Sequence, residues 1–129
     1  MPDSPEAKAA QVIVEEYART NMEFDADGLM ALYGEDVFWM DHGSGDGPLS
    51  RGNLDYFVHE TMADQGSFGF RLESYLITPD GRFAALQVCF SMYRAFDGKR
   101  ATAPCTVLLE FGNGHIISET WYYNGDHFH

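Results

Sequence analysis

The sequence FGFRLESYLI at residues 68–77 marks the point where the hydrophobic pattern takes the period of a β-strand. From Phe68 onward, apolar residues alternate with polar ones, and turn signals at 78–81, 97–98 and 112–114 separate three further strand candidates. The upstream sequence is mostly helical in period. Helices followed by an antiparallel meander are typical of an α+β fold with the helices on one sheet face.

The first upstream element is predicted to be a helix capped by Asp3 or Ser4, with Pro5 in its first turn. Its apolar stripe consists of Ala9, Ile13, Tyr17 and Thr20. A strand at this place is excluded by the spacing of three to four residues between stripe members.

A second helix is predicted to begin at residues 25–27 and to end at Gly34, followed by a strand over 37–41. Ser50 can cap a third helix. The apolar face of the third helix consists of Leu54, Phe57, Val58, Thr61 and Met62. The predicted element order is therefore α-α-β-α-β-β-β-β.

The composition excludes several functional classes. A chain of 129 residues is one domain, residues 1–129, and its net charge of −12 argues against binding to nucleic acid or to an anionic membrane. The first residues have neither the basic nor the apolar region of a signal peptide, so we expect a cytoplasmic location and two reduced cysteines, Cys89 and Cys105.

The strand over residues 37–41 ends in an acid and an imidazole before a glycine-rich loop. By alternation, Trp39 and Asp41 share one face and Met40 and His42 share the other. Either Asp41 or His42 therefore points into the core. A carboxylate surrounded by apolar walls is a suitable base for proton abstraction, whereas a carboxylate in water is an ordinary strand-end cap.

The whole pattern resembles the NTF2-like superfamily, and within it the ketosteroid isomerases and SnoaL-like polyketide cyclases. The residues that carry the resemblance are 13–17, 25–33, Asp41, 51–52 and 121–123. The resemblance implies a cystatin-like α+β cone, with three N-terminal helices on a curved, mostly antiparallel sheet. It also implies a conical cavity that binds a small hydrophobic substrate.

The same resemblance implies site residues. Asp41 matches the position of a general base and Tyr17 that of an oxyanion donor. The second oxyanion donor of the isomerases is an acid that this chain lacks, and Thr106 or Val107 stands in its place. His59 is a candidate relay or substrate donor on the third helix. The expected substrate-binding residues are Trp39, Phe57, Met62, Phe90, Val107, Glu119 and Trp121.

Glu119 shares a predicted face of the last strand with Trp121 and Tyr123. A buried acid without a partner is costly, so Glu119 is predicted to be functional or to pair with Arg71 or Arg94.

These observations favour a small enzyme that cyclises or isomerises a carbonyl or polyketide-like substrate by acid–base chemistry, without metal or cofactor. Epoxide hydrolysis or dehydration in the same cavity is the alternative enzymatic hypothesis. A non-catalytic ligand-binding or dimerisation module is the alternative from another class. The uncovered sheet face, with Thr106, Leu108 and Glu110 pointing outward, predicts a homodimer.

Overall fold

The computed structural model describes residues 4–64, 68–94 and 96–128. The helices are α1 (Pro5–Glu23), α2 (Ala26–Met30) and α3 (Arg51–Ala63). The strands are β1 (Tyr33–Asp41), β2 (Phe68–Ile77), β3 (Phe83–Tyr93), β4 (Arg100–Gly112) and β5 (His115–Tyr122), followed by a 3₁₀ turn at Gly125–His127. The element order and the α+β class predicted from the sequence are confirmed.

All five strands form one sheet in the order β1-β5-β4-β3-β2. β1 runs parallel to β5, and the other neighbouring pairs are antiparallel. The parallel pairing sets Trp39 opposite Glu119 and Asp41 opposite Trp121. The end of the first strand and the end of the last strand therefore contribute side chains to the same place.

Helix α1 is capped by Ser4, whose Oγ accepts a hydrogen bond of 3.0 Å from the Ala7 N–H. Its buried residues are Ala7, Ala10, Val14, Tyr17, Ala18, Thr20 and Asn21. Tyr17 and Thr20 thus lie on the buried stripe as predicted, whereas Ala9 is exposed. The alternative cap, Asp3, lies outside the described residues.

Helix α2 is shorter than predicted, because it ends at Met30 and the chain enters β1 at Tyr33 instead of continuing to Gly34. The guanidinium of Arg51 donates to the Met30 and Tyr33 carbonyl oxygens, at 3.2 and 2.7 Å. Contacts between segments distant in sequence therefore override the local helical pattern here. As a result, Tyr33 belongs to the sheet and its side chain is buried.

Two of the three irregularities in the register of the described strands change which residues face the core. In β2 the register shifts between Leu72 and Ser74, so Ile77 packs against the core and Leu76 is 79% exposed. Strict alternation from the buried Phe68 and Phe70 would place Leu76 inside and Ile77 outside. A bulge adds one residue to one strand, and this flips every later side chain to the opposite face.

The second irregularity lies where β5 begins. Phe111 pairs with Ile116 while Glu110 pairs with Ser118, so Ile117 is the extra residue. Ile116 is consequently fully buried, although alternation had placed Ile117 on the inner face with Glu119. The face prediction for Glu119 itself is confirmed, since the side chain is buried.

Helix α3 covers the sheet with the face predicted for it. Leu54, Val58 and Met62 are buried, and Phe57 packs against the core from a half-buried position. Among the described helices, none has the length and apolar character that crossing a membrane requires.

His59 connects α3 to α2 on the surface. Its Nε2 lies 3.0 Å from Asp27 Oδ1, and its Nδ1 lies 2.9 Å from the Asp55 carbonyl oxygen. The hydrogen bond to Asp27 raises the pKa of His59 above its usual value, and the Asp55 carbonyl adds to the shift.

The raised pKa predicts a pH-dependent contribution of His59 to stability. This contribution is fully present below the unfolded-state pKa, about 6.5, and is lost as the pH rises through the folded-state value. In urea unfolding, His59→Gln should be destabilised most near pH ~5, and its difference from wild type should shrink towards pH ~8. A difference that stays constant over this range would contradict the ion pairing; the exposed His115→Gln serves as the matched control.

Candidate functional site

A cavity of about 90 Å³ lies between the helices and the sheet and opens to solvent. Its lining residues are Asn21, Leu29, Tyr33, Trp39, Asp41, Phe57, Val58, Thr61, Met62, Phe68, Phe90, Glu119 and Trp121. Asp41, Phe57, Thr61 and Phe90 are half-buried, whereas most other lining residues are buried. Solvent therefore reaches the cavity past these four side chains.

Glu119 is the central polar group of this site, with 2% of its surface exposed. Its carboxylate accepts four hydrogen bonds. Oε2 accepts three of them, from Tyr17 Oη at 2.7 Å, Trp39 Nε1 at 3.1 Å and Trp121 Nε1 at 2.6 Å. Oε1 accepts the fourth, from the hydroxyl of Tyr33. These donors come from α1, β1 and β5.

The protonation of Glu119 depends on two opposing effects. Burial raises the pKa of its carboxyl group, and the hydrogen bonds from its four partners lower it, so that the pKa stays above its usual value. Burial also raises the pKa of Tyr17 and of Tyr33 well above the usual value, and the nearby Glu119 charge raises both further. Both phenols therefore keep their protons at neutral pH and can act as donors.

The same geometry decides where a proton on Glu119 would lie. Indole N–H groups only donate, so among the three partners of Oε2 only the Tyr17 hydroxyl could accept a proton, and two indole N–H groups oppose a proton on that oxygen. Oε1 faces the Tyr33 hydroxyl, which can accept as well as donate. Protonation is therefore favoured on Oε1, which then donates to Tyr33. The Tyr33 hydroxyl is then free to donate elsewhere, and Tyr33 lines the cavity.

Asp41 is the second carboxylate of the cavity lining. Its Oδ1 accepts from the backbone N–H groups of Gly43 and Ser44, at 2.8 and 3.0 Å. Its Oδ2 accepts from the Tyr123 hydroxyl at 3.0 Å. The carboxylate is thus both a cap of the following turn and a half-buried wall of the cavity, which combines the two roles considered from the sequence.

His42 lies on the other side of the strand, as alternation predicted for one of the two residues. It is exposed, and its ring stacks on Tyr122 with the ring centroids 4.8 Å apart.

Tyr123 is held over Asp41 by close packing. A Cβ added at Gly43 would lie 2.2 Å from the Tyr123 ring, so only glycine leaves room for the ring in this position. Phe128 packs on the other side of this ring in a T-shaped contact, with centroids 5.6 Å apart. Burial raises the pKa of the Tyr123 phenol, and the Asp41 charge adds to the effect.

The structure brings most of the residues expected from the sequence to one place. The expected residues that line the cavity are Trp39, Asp41, Phe57, Met62, Phe90, Glu119 and Trp121. Three others lie elsewhere. Tyr17 is fully buried behind Glu119, Val107 is fully buried within β4, and His59 is exposed on α3.

The predicted pairing of Glu119 with an arginine is wrong. Arg71 forms a surface ion pair with Glu73, and Arg94 forms one with Asp97. Phenol and indole groups occupy the positions around Glu119 instead, because β1 and α1 bring their aromatic side chains to it.

Two side chains that donate to the carboxylates of the site were missed from the sequence. The sequence pattern predicted that Tyr33 lies at the end of a helix. No local pattern indicated that it would contact Glu119, which lies 86 residues further along the chain. Tyr123 could have been found, because alternation along the last strand sets it on the same face as Glu119 and Trp121.

No protein-family model matches the sequence, and no curated protein matches it. Solved structures match the fold along nearly the whole chain. SalBIII, described as an epoxide hydrolase/cyclase-like enzyme with a role in pyran ring formation in salinomycin, is 16% identical with a TM-score of 0.77, over 93% of this chain and 94% of that chain. A putative polyketide cyclase from Xanthomonas campestris is 20% identical with a TM-score of 0.72, over 92% and 93%.

A third similar structure is a hypothetical protein with a ketosteroid isomerase-like fold from Catenulispora acidiphila, solved with trimethylamine. It is 17% identical with a TM-score of 0.76, over 90% of this chain and 88% of that chain. At these identities the comparisons establish the fold alone. Together with the α+β cone and its cavity, they show that this chain has the NTF2-like fold of the ketosteroid isomerase-like proteins.

Proposed function

We propose that the chain is an acid–base enzyme that transfers protons on a small substrate bound in the cavity, with Asp41 and Glu119 as its two carboxylates. The observation that carries this proposal is the burial of Glu119 among four donors, three of which line the cavity. Carboxyl groups with a perturbed pKa that face a cavity are characteristic of acid–base sites.

The two carboxylates suit opposite roles. Asp41 is half-buried at the solvent side and acts as the base, which takes a proton from the carbon beside a carbonyl. Tyr33 donates to the oxygen on which negative charge develops, and Glu119 Oε1 supplies a proton to Tyr33 in the same step. Return of the Asp41 proton to another carbon, while the enol proton passes back through Tyr33 to Glu119 Oε1, completes an isomerisation. Tyr17 positions Glu119 from behind and does not touch the substrate in this scheme.

The volume of the cavity limits the substrate. About 90 Å³ is well below the roughly 300–1,000 Å³ of sites that enclose drug-sized ligands. The substrate is therefore small, or only its reacting end enters. Cyclisation or isomerisation of a carbonyl compound is the favoured reaction, and the cyclase among the structural neighbours supports it.

Epoxide opening or dehydration is the alternative enzymatic reaction. In epoxide opening, Asp41 would take the proton of the attacking water, and Tyr33 with Glu119 would protonate the epoxide oxygen. The similarity to an epoxide hydrolase/cyclase-like enzyme supports it.

A non-catalytic binding module is the second candidate function. The observation that favours it is that both oxygens of Glu119 already hold donors, so the carboxylate could serve only to join α1, β1 and β5.

Glu119→Gln separates the two candidates. The glutamine oxygen can replace Oε2 and its NH₂ group can replace a protonated Oε1, so the variant mimics the protonated acid but cannot release a proton. We expect proton transfer to fall by about 10²–10⁴-fold in Glu119→Gln and in Asp41→Asn. The assay is deuterium incorporation beside the carbonyl of small ketones in D₂O, followed by NMR, with the surface variant Asp36→Asn as the control. A binding module predicts equal exchange in all four proteins.

The same glutamine variant tests the raised pKa of Glu119 through stability. Since the folded protein holds this proton more tightly than the unfolded chain, wild-type stability declines as the pH rises from the unfolded-state pKa to the folded-state value. Urea unfolding should therefore show Glu119→Gln gaining stability relative to wild type over that interval. A relative loss with rising pH would mean that the folded state favours the ionised form.

Gly43→Ala tests the positioning of Asp41 by Tyr123. The added methyl group collides with the Tyr123 ring, so the hydrogen bond to Asp41 is broken and the exchange rate should fall about as far as in Tyr123→Phe. Gly52→Ala is the matched control, because a Cβ there meets no described atom within 4 Å and alanine favours the helix. Full activity in Gly43→Ala would remove the positioning role.

A homodimer belongs to the same proposal. Leu108 is 42% exposed on the outer sheet face, beside the outward Thr106 and Glu110. Sedimentation should give a dimer that Leu108→Lys converts to a monomer, whereas Val12→Lys on the exposed side of α1 should leave the dimer intact. A wild-type monomer at micromolar concentration would overturn it.

A further inference from the structure

The cavity combines aromatic walls with negative charge. Its aromatic lining residues are Tyr33, Trp39, Phe57, Phe68, Phe90 and Trp121. The acidic residues among the described lining are Asp41 and Glu119, with no lysine, arginine or histidine beside them. This combination is more specific than an apolar pocket, because it determines the preferred charge of the occupant.

Three kinds of ligand fit these walls poorly. An anion would meet two carboxyl groups and the field of a chain whose net charge is −12. A metal ion needs several oxygen, nitrogen or sulfur ligands, and the described residues contain no group of three or more His, Cys, Asp or Glu side chains that could hold one. A neutral hydrocarbon would use the rings but gain no attraction from the Asp41 carboxylate, beside which the described lining provides no cationic side chain.

An alkylated ammonium group uses both features. The faces of aromatic rings carry negative potential and attract cations, most strongly where water is excluded. Trp39 and Phe57 both line the cavity and pack against each other, with ring centroids 5.1 Å apart and planes inclined at 49°. Asp41 lies on the same strand as Trp39 and in the same lining, where its carboxylate can balance the charge.

We propose that the cavity binds the positively charged, alkylated ammonium group of its substrate, with Trp39 and Phe57 as ring walls and Asp41 as the counter-charge. This inference rests on the proposed function in one respect, that the substrate occupies this cavity. It goes beyond that proposal by assigning the substrate to the tertiary or quaternary amines. The size of the cavity agrees with a small substrate in which a branched ammonium group lies close to the reacting carbonyl.

Three probes of similar branched shape test the charge preference. These are tetramethylammonium, tert-butyl alcohol and pivalate, which are cationic, neutral and anionic. We expect the indole N–H signals of Trp39 and Trp121 to shift saturably in NMR titrations, with the cation bound about tenfold or more tightly than the alcohol and pivalate not bound. Alcohol binding as tight as cation binding would overturn the inference.

Two variants test the walls and the counter-charge separately. Phe57→Leu keeps an apolar wall but removes the ring, and should weaken the binding of tetramethylammonium by about threefold to tenfold. Asp41→Asn should weaken the binding of tetramethylammonium at least as much. The control is Asp36→Asn, which makes the same change of charge at an exposed position of the same strand and should leave that binding unaltered. Equal weakening by both asparagine variants would show a general field effect and overturn the assigned counter-charge.

The outcomes also distinguish this inference from the proposed function. Selective binding of the cation without proton exchange on any amine or ketone would overturn the proposed acid–base function and support the proposed preference for alkylated ammonium groups. Proton exchange on neutral ketones without preferential binding of the cation would overturn the proposed ligand class and support the proposed acid–base function.

Discussion

The burial of one carboxylate, Glu119, is the constraint on which the rest of this structure depends. A charged group removed from water is costly unless donors replace its hydration, and here two phenols and two indoles replace it. These donors fix the position of α1 on the sheet, the entry of β1 and the pairing of β1 with β5. The aromatic groups therefore serve as polar partners of the acid and as apolar walls of the cavity at once.

The two carboxylates of the site differ because their surroundings differ. Glu119 is enclosed by side-chain donors, which leave one oxygen able to exchange a proton with Tyr33. Asp41 is held by two backbone N–H groups and by Tyr123 where the cavity meets solvent. One fold thereby places a buried and an accessible carboxyl group along two neighbouring strands.

The sequence was sufficient for the features that depend on local periodicity. It predicted the order of the elements, the face shared by Trp39 and Asp41, and the inward direction of Glu119. It could not predict the features that depend on strand pairing. The bulge at Ile117 and the early start of β1 at Tyr33 follow from contacts between segments distant in sequence. The contacts of Glu119 with Tyr17, Tyr33 and Trp39 also join segments distant in sequence, so the sequence did not predict them and an arginine partner was expected instead.

The parallel pairing of β1 with β5 has a consequence for the order in which the molecule assembles. Tyr17 and Glu119 are 102 residues apart in sequence, and Trp39 and Glu119 are 80 apart. Closing such long loops slows folding, because chain entropy is lost before the contacts form. During synthesis the helices and β1 emerge long before Glu119, so the cavity and the complete sheet form in the same late step.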